Sequence, residues 1–469
     1  MTLHAASAQN PHALTRHAPT AIRGWDNAHF FHPWERMGTE AADRVVAAKA
    51  EGIHIVDAEG RRFIDGPGGM WCVQIGYGRR EMAEAIGEQA MRLAYHSPWS
   101  FASEPSALLA RRLAEMAPGD LGSVFFTTGG SSAVDSALRF AQFYQNLRGR
   151  PEKKLFLARE RGYHGSTYLA ASVTGKDRWK NPMDTERRLV RFLPDINPYR
   201  RPEGTSEAAW ADAKVEDLAR AIRVEGAENI AAFIAEPILA SGGVIVPPEG
   251  YVRRTRELCR ANDILYISDE VVTGFGRLGH WFASEAVFGI TPDIITTAKG
   301  LTSGYLPLGA MLVSDRLLDE ISGDHRAEVM FGNGYTYSGH PVCCAAALKN
   351  IEIIEREGIL EHVRAVTPQF QARMRALKRH EIVGDVRGMG LLGCVEGTAR
   401  PDLPEEKRMK IDAEFGERVD AACEARGLIV RPLLNMCVFS PPLIISPAEI
   451  DRMFDILDAA IAEVQAEMM

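Results

Sequence analysis

Six short apolar or β-branched runs lie between residues 105 and 315: SVFFTT, KLFLAR, AAFIAEP, ILYISDE, DIITTAK and GAMLVS. Each is separated from the next by a turn or a helical pattern. This alternation constrains the fold more than any other feature. Strands too apolar to leave a face in water must be covered on both sides, which calls for a largely parallel sheet between two layers of helices. Between the first two runs, SSAVDSALRFAQFYQ places Val134, Ala137, Leu138 and Ala141 at i, i+3, i+4 and i+7, the stripe of an amphipathic helix.

After Pro341 the texture changes. A helix over VCCAAALKNIEIIEREG, a second ending at Gly427, strands over GLIVRPL and MCVFSPPL, and a closing helix are expected. Ser446-Pro447-Ala448-Glu449 opens that last helix as a capping box, and Ile450, Phe454, Leu457 and Ile461 follow on one face. GIHIVDAEGRRFIDGPGG, near residue 60, reads as a hairpin turning at Glu59-Gly60, packed on the same late elements. The chain exceeds the usual length of a single domain. Its expected organisation is α/β: a mobile segment over 1–30, a segment over 31–75 packing with the small domain, a large ligand-binding domain over 76–335 with a mostly parallel sheet, and a smaller α+β domain over 336–469.

Charge and cysteine usage narrow the function classes. A formal net charge of −8 gives no overall positive field to draw nucleic acid or anionic lipid. The most apolar long stretch, IAAFIAEPILASGGVIVPP, is interrupted by Glu236 and by several Gly and Pro residues, so it cannot serve as a membrane span. The first 25 residues lack the continuous apolar run of a signal peptide. Seven cysteines, odd in number and without a CxxC pair, fit a reducing compartment, and a cytoplasmic location is expected.

A parallel sheet presents ligands beyond the carboxyl ends of its strands. Three features fall there: Asp269 ends ILYISD, Lys299 ends DIITTAK, and Gly129-Gly130-Ser131-Ser132 follows SVFFTT and opens a helix. An amine at the end of a buried strand is desolvated, which favours the neutral nucleophile that condenses with a carbonyl. A carboxylate at the end of an apolar strand needs a cationic partner. A Gly/Ser helix start cradles a phosphate with backbone N–H groups. The three demands together describe pyridoxal phosphate: a lysine for its aldehyde, an acid for its ring nitrogen and a cradle for its phosphate. Tyr163, in RGYHGST, supplies a flat partner for the ring. GFGRLG is a literal GxGxxG, but Glu270 to Thr273 separate it from its strand and no acid ends a strand at the required distance, so a dinucleotide site is rejected. His164, His280 and His340 lack ligand spacing, and no metal is expected.

With these motifs in view, the chain resembles the class III, or omega, aminotransferases of the fold-type I pyridoxal phosphate enzymes, from about residue 30 to 460. ISDEVVTGFGRLG, TTAKGLTSGYLPLGA, AEPILASGGVIVPP and GYTYSGHPVCCAAAL carry the resemblance. It implies that Lys299 bonds the cofactor, that Asp269 pairs with the pyridine nitrogen and that Val271 packs on the ring face opposite Tyr163. It further implies that Gly130, Ser131 and Thr336 hold the phosphate, with Thr336 reaching across from a neighbouring subunit. The implied assembly is a homodimer, alone or doubled into a tetramer. Ser241 stands where members acting on ornithine or 4-aminobutyrate usually carry a glutamate. MWCVQIGYG and GLIVRPL instead resemble the omega-amine:pyruvate branch, with Trp71 shaping the pocket and Arg431 clamping a carboxylate. Trp99 and Phe101 are expected as further pocket walls. The implied activity passes an amino group from a primary amine or omega-amino acid to a keto acid, pyruvate foremost. Alternatives on the same scaffold are a decarboxylase or an aminomutase; a non-catalytic binding protein would have no need of the buried amine.

Overall fold

The computed structural model describes residues 14–35, 37–38, 44–176, 182–323, 329–398 and 404–468. All six runs form strands of one seven-stranded sheet, in the order Ser123–Thr127, Gly309–Val313, Ile294–Thr297, Leu265–Asp269, Ile230–Ala235, Leu155–Arg159 and Val190–Leu193. Only Gly309–Val313 runs antiparallel to its neighbours. The seventh strand, Val190–Leu193, has no counterpart among the six runs; it is an edge strand whose middle residues are only half-buried, and its short sequence VRFL lacks a continuous apolar signal.

Both faces of this sheet are covered, as strands buried along their whole length require. On one face the helix Gly130–Leu147 lays Val134, Ala137, Leu138 and Ala141, all fully buried, against Ile234 and Ile267. On the other, Phe233 and Tyr266 meet Leu218, Val252 and Cys259 from the helices Glu207–Glu225 and Tyr251–Ala261. The fold is thus a fold-type I α/β architecture.

The rest of the chain builds two four-stranded sheets. Val383–Met389, Leu392–Gly397, Met436–Phe439 and Arg431–Leu433 form an antiparallel one. Its first hairpin, and the helix Ile359–Ala376 before it, go beyond the sequence expectation. The hairpin carries Gly384, Gly388, Gly390, Gly393 and Gly397, which dilute a strand pattern, and the helix contains Pro368. Glycine is demanded here by close packing: a Cβ on Gly393 would lie 2.6 Å from Met374 Sδ. The closing helix, Pro447–Met468, has the expected capping box: Ser446 Oγ and N donate to Glu449 Oε2, each at 2.8 Å, and Glu449 N donates back to Ser446 Oγ at 3.3 Å.

The hairpin near residue 60 pairs His54–Asp57 with Arg62–Asp65. Ala47–Glu51 flanks it on one side and Leu428–Ile429 joins it in parallel on the other. GLIVRPL is therefore not one strand. Its first part completes the N-terminal sheet, and after Val430 its second part becomes an edge strand of the C-terminal sheet, where Pro432 has no central ladder bond to lose. Ile53, Ile64 and Ile75 accordingly share a core with Ile450, Phe454 and Leu457. Within the segment expected to be mobile, Pro19–His29 is a helix with no buried residue; residues 1–13 lie outside the described residues.

Candidate active site

The strand ends of the large sheet converge on a cavity of about 470 Å³, lined by Gly130, Ser131, Tyr163, Asp269, Val271 and Lys299 on one side and by Trp71 and Arg431 on the other. Eight of the eleven residues singled out for this site from the sequence thus meet in one place. Thr336 is exposed outside this cavity, its carbonyl oxygen accepting from the Tyr95 hydroxyl at 2.5 Å. Trp99 and Phe101 are a correction. They are 84% and 64% exposed and do not line the cavity of their own chain, because their segment turns outward, with Phe101 packed edge-on against His96.

Lys299 follows the strand Ile294–Thr297 by two residues and opens a single 3₁₀ turn at φ 45°. A lysine in the left-handed region is strained, and strain of this kind persists only where the surroundings impose it. They do so here. Asn350 Nδ2 donates to the carbonyls of Gly300 and Leu301 at 2.8 and 3.0 Å, and a Cβ on Gly300 would fall 2.5 Å from Gln74 Nε2. Burial lowers the Lys299 pKa, with Asp269 opposing the shift, so a neutral amine is more accessible than for a surface lysine.

Asp269 is 4% exposed at the end of Leu265–Asp269. Its Oδ1 accepts from Val271 N at 3.2 Å and its Oδ2 from His164 Nδ1–H at 2.7 Å. Glu236, just past Ile230–Ala235, is also buried; its oxygens accept from Tyr163 N at 2.9 Å and Ala240 N at 3.0 Å, and burial raises its pKa against the charge of His164. Sequence reasoning passed over both. His164 has no metal-ligand spacing and Glu236 reads only as a break in an apolar stretch, although both lie just past large-sheet strands, close to where Asp269 ends its own.

At the cradle, Gly130 begins its helix against Val271: an added Cβ would sit 3.0 and 3.2 Å from the two valine methyl carbons. Ser131 Oγ accepts from Ser166 N at 3.0 Å, which ties the helix start to the Tyr163 loop. Nothing within 4 Å would meet a Cβ on Gly129, so the backbone there is open to approach. A flat phosphorylated aldehyde with a basic ring nitrogen fits this donor set: free helix-start N–H groups, an accepting carboxylate and a desolvated amine.

On the opposite side, Arg431 lies over the Trp71 ring, 5.9 Å from its centroid, and its Nη1 touches Met70 Sδ. Burial lowers the Arg431 pKa. Ser241 also lines the cavity, and its carbonyl accepts from Lys176 Nζ, whose pKa burial depresses to about 7. Trp34, which the sequence did not single out, adds a 58% exposed indole at the mouth.

The sequence model of the aminotransferase class-III family matches residues 37–461. The putrescine–pyruvate aminotransferase of Pseudomonas aeruginosa is 37% identical over 434 residues, 90% of this chain and 92% of that protein. A thermostable (S)-enantioselective omega-transaminase from Thermomicrobium roseum superposes with a TM-score of 0.89 at 38% identity, over 95% of this chain and 99% of that one. The omega-transaminase of Pseudomonas jessenii in complex with PMP gives a TM-score of 0.90 at 32% identity, over 95% and 98% of the two chains.

Proposed function

The chain belongs to the class-III aminotransferases and is a pyridoxal phosphate-dependent transaminase, and from that premise we propose that its donor is a primary amine or omega-amino acid and its acceptor pyruvate. The observation that carries this reading is the pairing, in one cavity, of Lys299 and Asp269 with an arginine resting on an aromatic ring. Among the described residues no carboxylate forms an ion pair with this arginine, which leaves it available to an incoming keto acid.

Bound there, pyridoxal phosphate supplies an aldehyde for amines and a ring that takes up electron density released at the donor carbon. Lys299 would hold it covalently, Gly130 and Ser131 would take its phosphate at the helix start, and Val271 and Tyr163 would cover its two faces. Asp269 would keep a proton on the ring nitrogen, oriented for this by His164. Once displaced by the donor amine, Lys299 Nζ would take the proton from the amine-bearing carbon and deliver one to the cofactor's former aldehyde carbon; its lowered pKa suits it to both tasks. Arg431 swings from Trp71 to grip the acceptor carboxylate through two parallel hydrogen bonds, and returns when the donor has no carboxylate.

We read the assembly as a homodimer, alone or doubled into a tetramer, in which Thr336 completes the phosphate site of the other chain. The exposed side chains of Trp99, Phe101, Met330 and Tyr337 support a shared face there. A cytoplasmic location is supported by seven cysteines that all carry free thiols; among the described residues no helix is long and apolar enough to cross a membrane. The test is turnover of the loaded enzyme with putrescine, β-alanine or an arylalkylamine against pyruvate and 2-oxoglutarate separately. Amino transfer to pyruvate is expected; transfer to 2-oxoglutarate alone would overturn the acceptor.

A further inference from the structure

Trp71 sits at φ 67° in a single turn closed by Trp71 N to Pro67 O and Cys72 N to Gly68 O, each at 3.0 Å, within which Gly69 departs far from helical geometry at φ 66°, ψ −101°. A non-glycine residue in that region is strained and must be held there. What holds it lies outside the cavity. The strand Arg62–Asp65 ends in a carboxylate 1% exposed, and Asp65 Oδ2 accepts from Gly69 N and from the Tyr77 hydroxyl, each at 2.6 Å. From the far side the turn is boxed by main chain. A Cβ on Gly66 would lie 2.4 Å from the Ile429 carbonyl oxygen and one on Gly68 2.3 Å from that of Ser440, while Ser440 Oγ donates to Pro67 O at 2.7 Å. The turn is thus pressed against Ile429, two residues before Arg431, and against Ser440, just past the strand that pairs with Arg431–Leu433, and its two last residues, Met70 and Trp71, are the ones the guanidinium touches.

We propose that Asp65 and Tyr77 form a latch that sets how bulky a donor the cavity accepts, by pinning the 66–71 turn and with it the Trp71 wall. Neither side chain lines the cavity, so both are positioning residues that act through the Gly69 amide. The Tyr77 hydroxyl serves as donor only, since burial and the neighbouring carboxylate raise its pKa. Asp65 carries the reverse tension: burial raises its pKa, and Tyr77, Gly69, Gly68 and the charge of Arg277 oppose that rise. Removing the tyrosine hydroxyl leaves the carboxylate one donor short, and the turn relaxes toward an unstrained backbone.

The inference rests on the transaminase reading, with Trp71 as the wall on the donor side. Its test compares kcat/KM for β-alanine, which is slender, with that for 1-phenylpropylamine, which is bulky, in the loaded wild type, Tyr77→Phe, Asp65→Asn and Trp71→Ala. The bulky-to-slender ratio is expected to rise about threefold or more in both latch variants, in the same direction as in Trp71→Ala, since a displaced wall changes discrimination by amounts of that order. Faster amide exchange over residues 66–72 should accompany it. A merely structural role would lower both donors together and leave the ratio where it was. Tyr77→Phe keeps the test open if Asp65→Asn fails to fold. An unchanged ratio in the folded latch variants overturns the latch. A wild type that moves no amino group from either donor overturns the functional reading, and the inference with it.

Discussion

On one side of the cavity, Gly130, Asp269 and Lys299 each stand within three residues of the end of a large-sheet strand. On the other, Trp71 and Arg431 come from a strained turn and a broken strand, brought together by the pairing of Arg62–Asp65 with Leu428–Ile429 from opposite ends of the chain. The first wall moves only if the parallel sheet moves, and that sheet is buried on both faces. The second is held by a few side-chain and main-chain bonds around one turn. A fold arranged in this way can keep its chemistry while its choice of substrate drifts, which is how one scaffold serves many reactions.

Four variants break or sharpen that contrast. Lys299→Ala should remove the chemistry outright. A fall in kcat of about 10³-fold or more is expected from losing a positioned acid–base group, while Asp269 and the helix start retain part of the cofactor through dialysis. Residual turnover near wild type would assign the role to another amine. Asp269→Asn keeps the shape and removes a preorganised charge, so kcat should drop by roughly a hundredfold, with the loaded variant's melting temperature close to wild type.

Crossing to the second wall, Arg431→Ala should spare the half-reaction with an arylalkylamine and raise KM for pyruvate at least about tenfold, as charge-assisted hydrogen bonds worth about 1.5–3 kcal/mol each are lost. Equal damage to both half-reactions would make Arg431 a brace for its strand instead.

Asp420 lies on the helix Glu405–Glu424, outside both walls, and provides the smallest effect and a control. Burial pushes its pKa up to about 6, and Glu424 one turn on adds to this. A raised carboxyl pKa means that the folded state binds the proton more tightly than the unfolded one. Wild-type stability should therefore decline as pH climbs from about 4 to about 6 and stay lowered above that range. Asp420→Asn should gain about 1–2 kcal/mol at pH 7–8 and nothing below pH 4, with kinetics unmoved. Paired urea titrations at the two pH values measure it.

The two walls also differed in how far they could be read from the chain. Asp269 and Lys299 were legible because a charged residue after an apolar run is chemically conspicuous, and a parallel sheet sends such residues to one edge. Trp71 and Arg431 were reached through family motifs, since nothing local in MWCVQIGYG or GLIVRPL says that the two segments touch. Asp65 and Tyr77 gave no signal at all: an aspartate before Gly-Pro-Gly-Gly reads as ordinary turn chemistry. The break at Val430 was hidden by a run of β-formers with no turn residue to mark it. Trp99 and Phe101 were placed by closeness in sequence, and the backbone carried them outward.

The parallel pairing of Ile64 with Leu428 bears on how the molecule is made as well as how it works. An N-terminal strand whose partner is translated roughly 360 residues later must wait on the ribosome for roughly 20 to 70 s at about 5–20 residues per second. During that interval the large sheet, whose strands all lie between, can close over its own core. The hairpin edge at Arg62–Asp65 meanwhile stays unsatisfied, a template open to other nascent chains. Selectivity for substrate is thus acquired last in biogenesis, and chains arrested before residue 428 are the ones with greatest need of a chaperone.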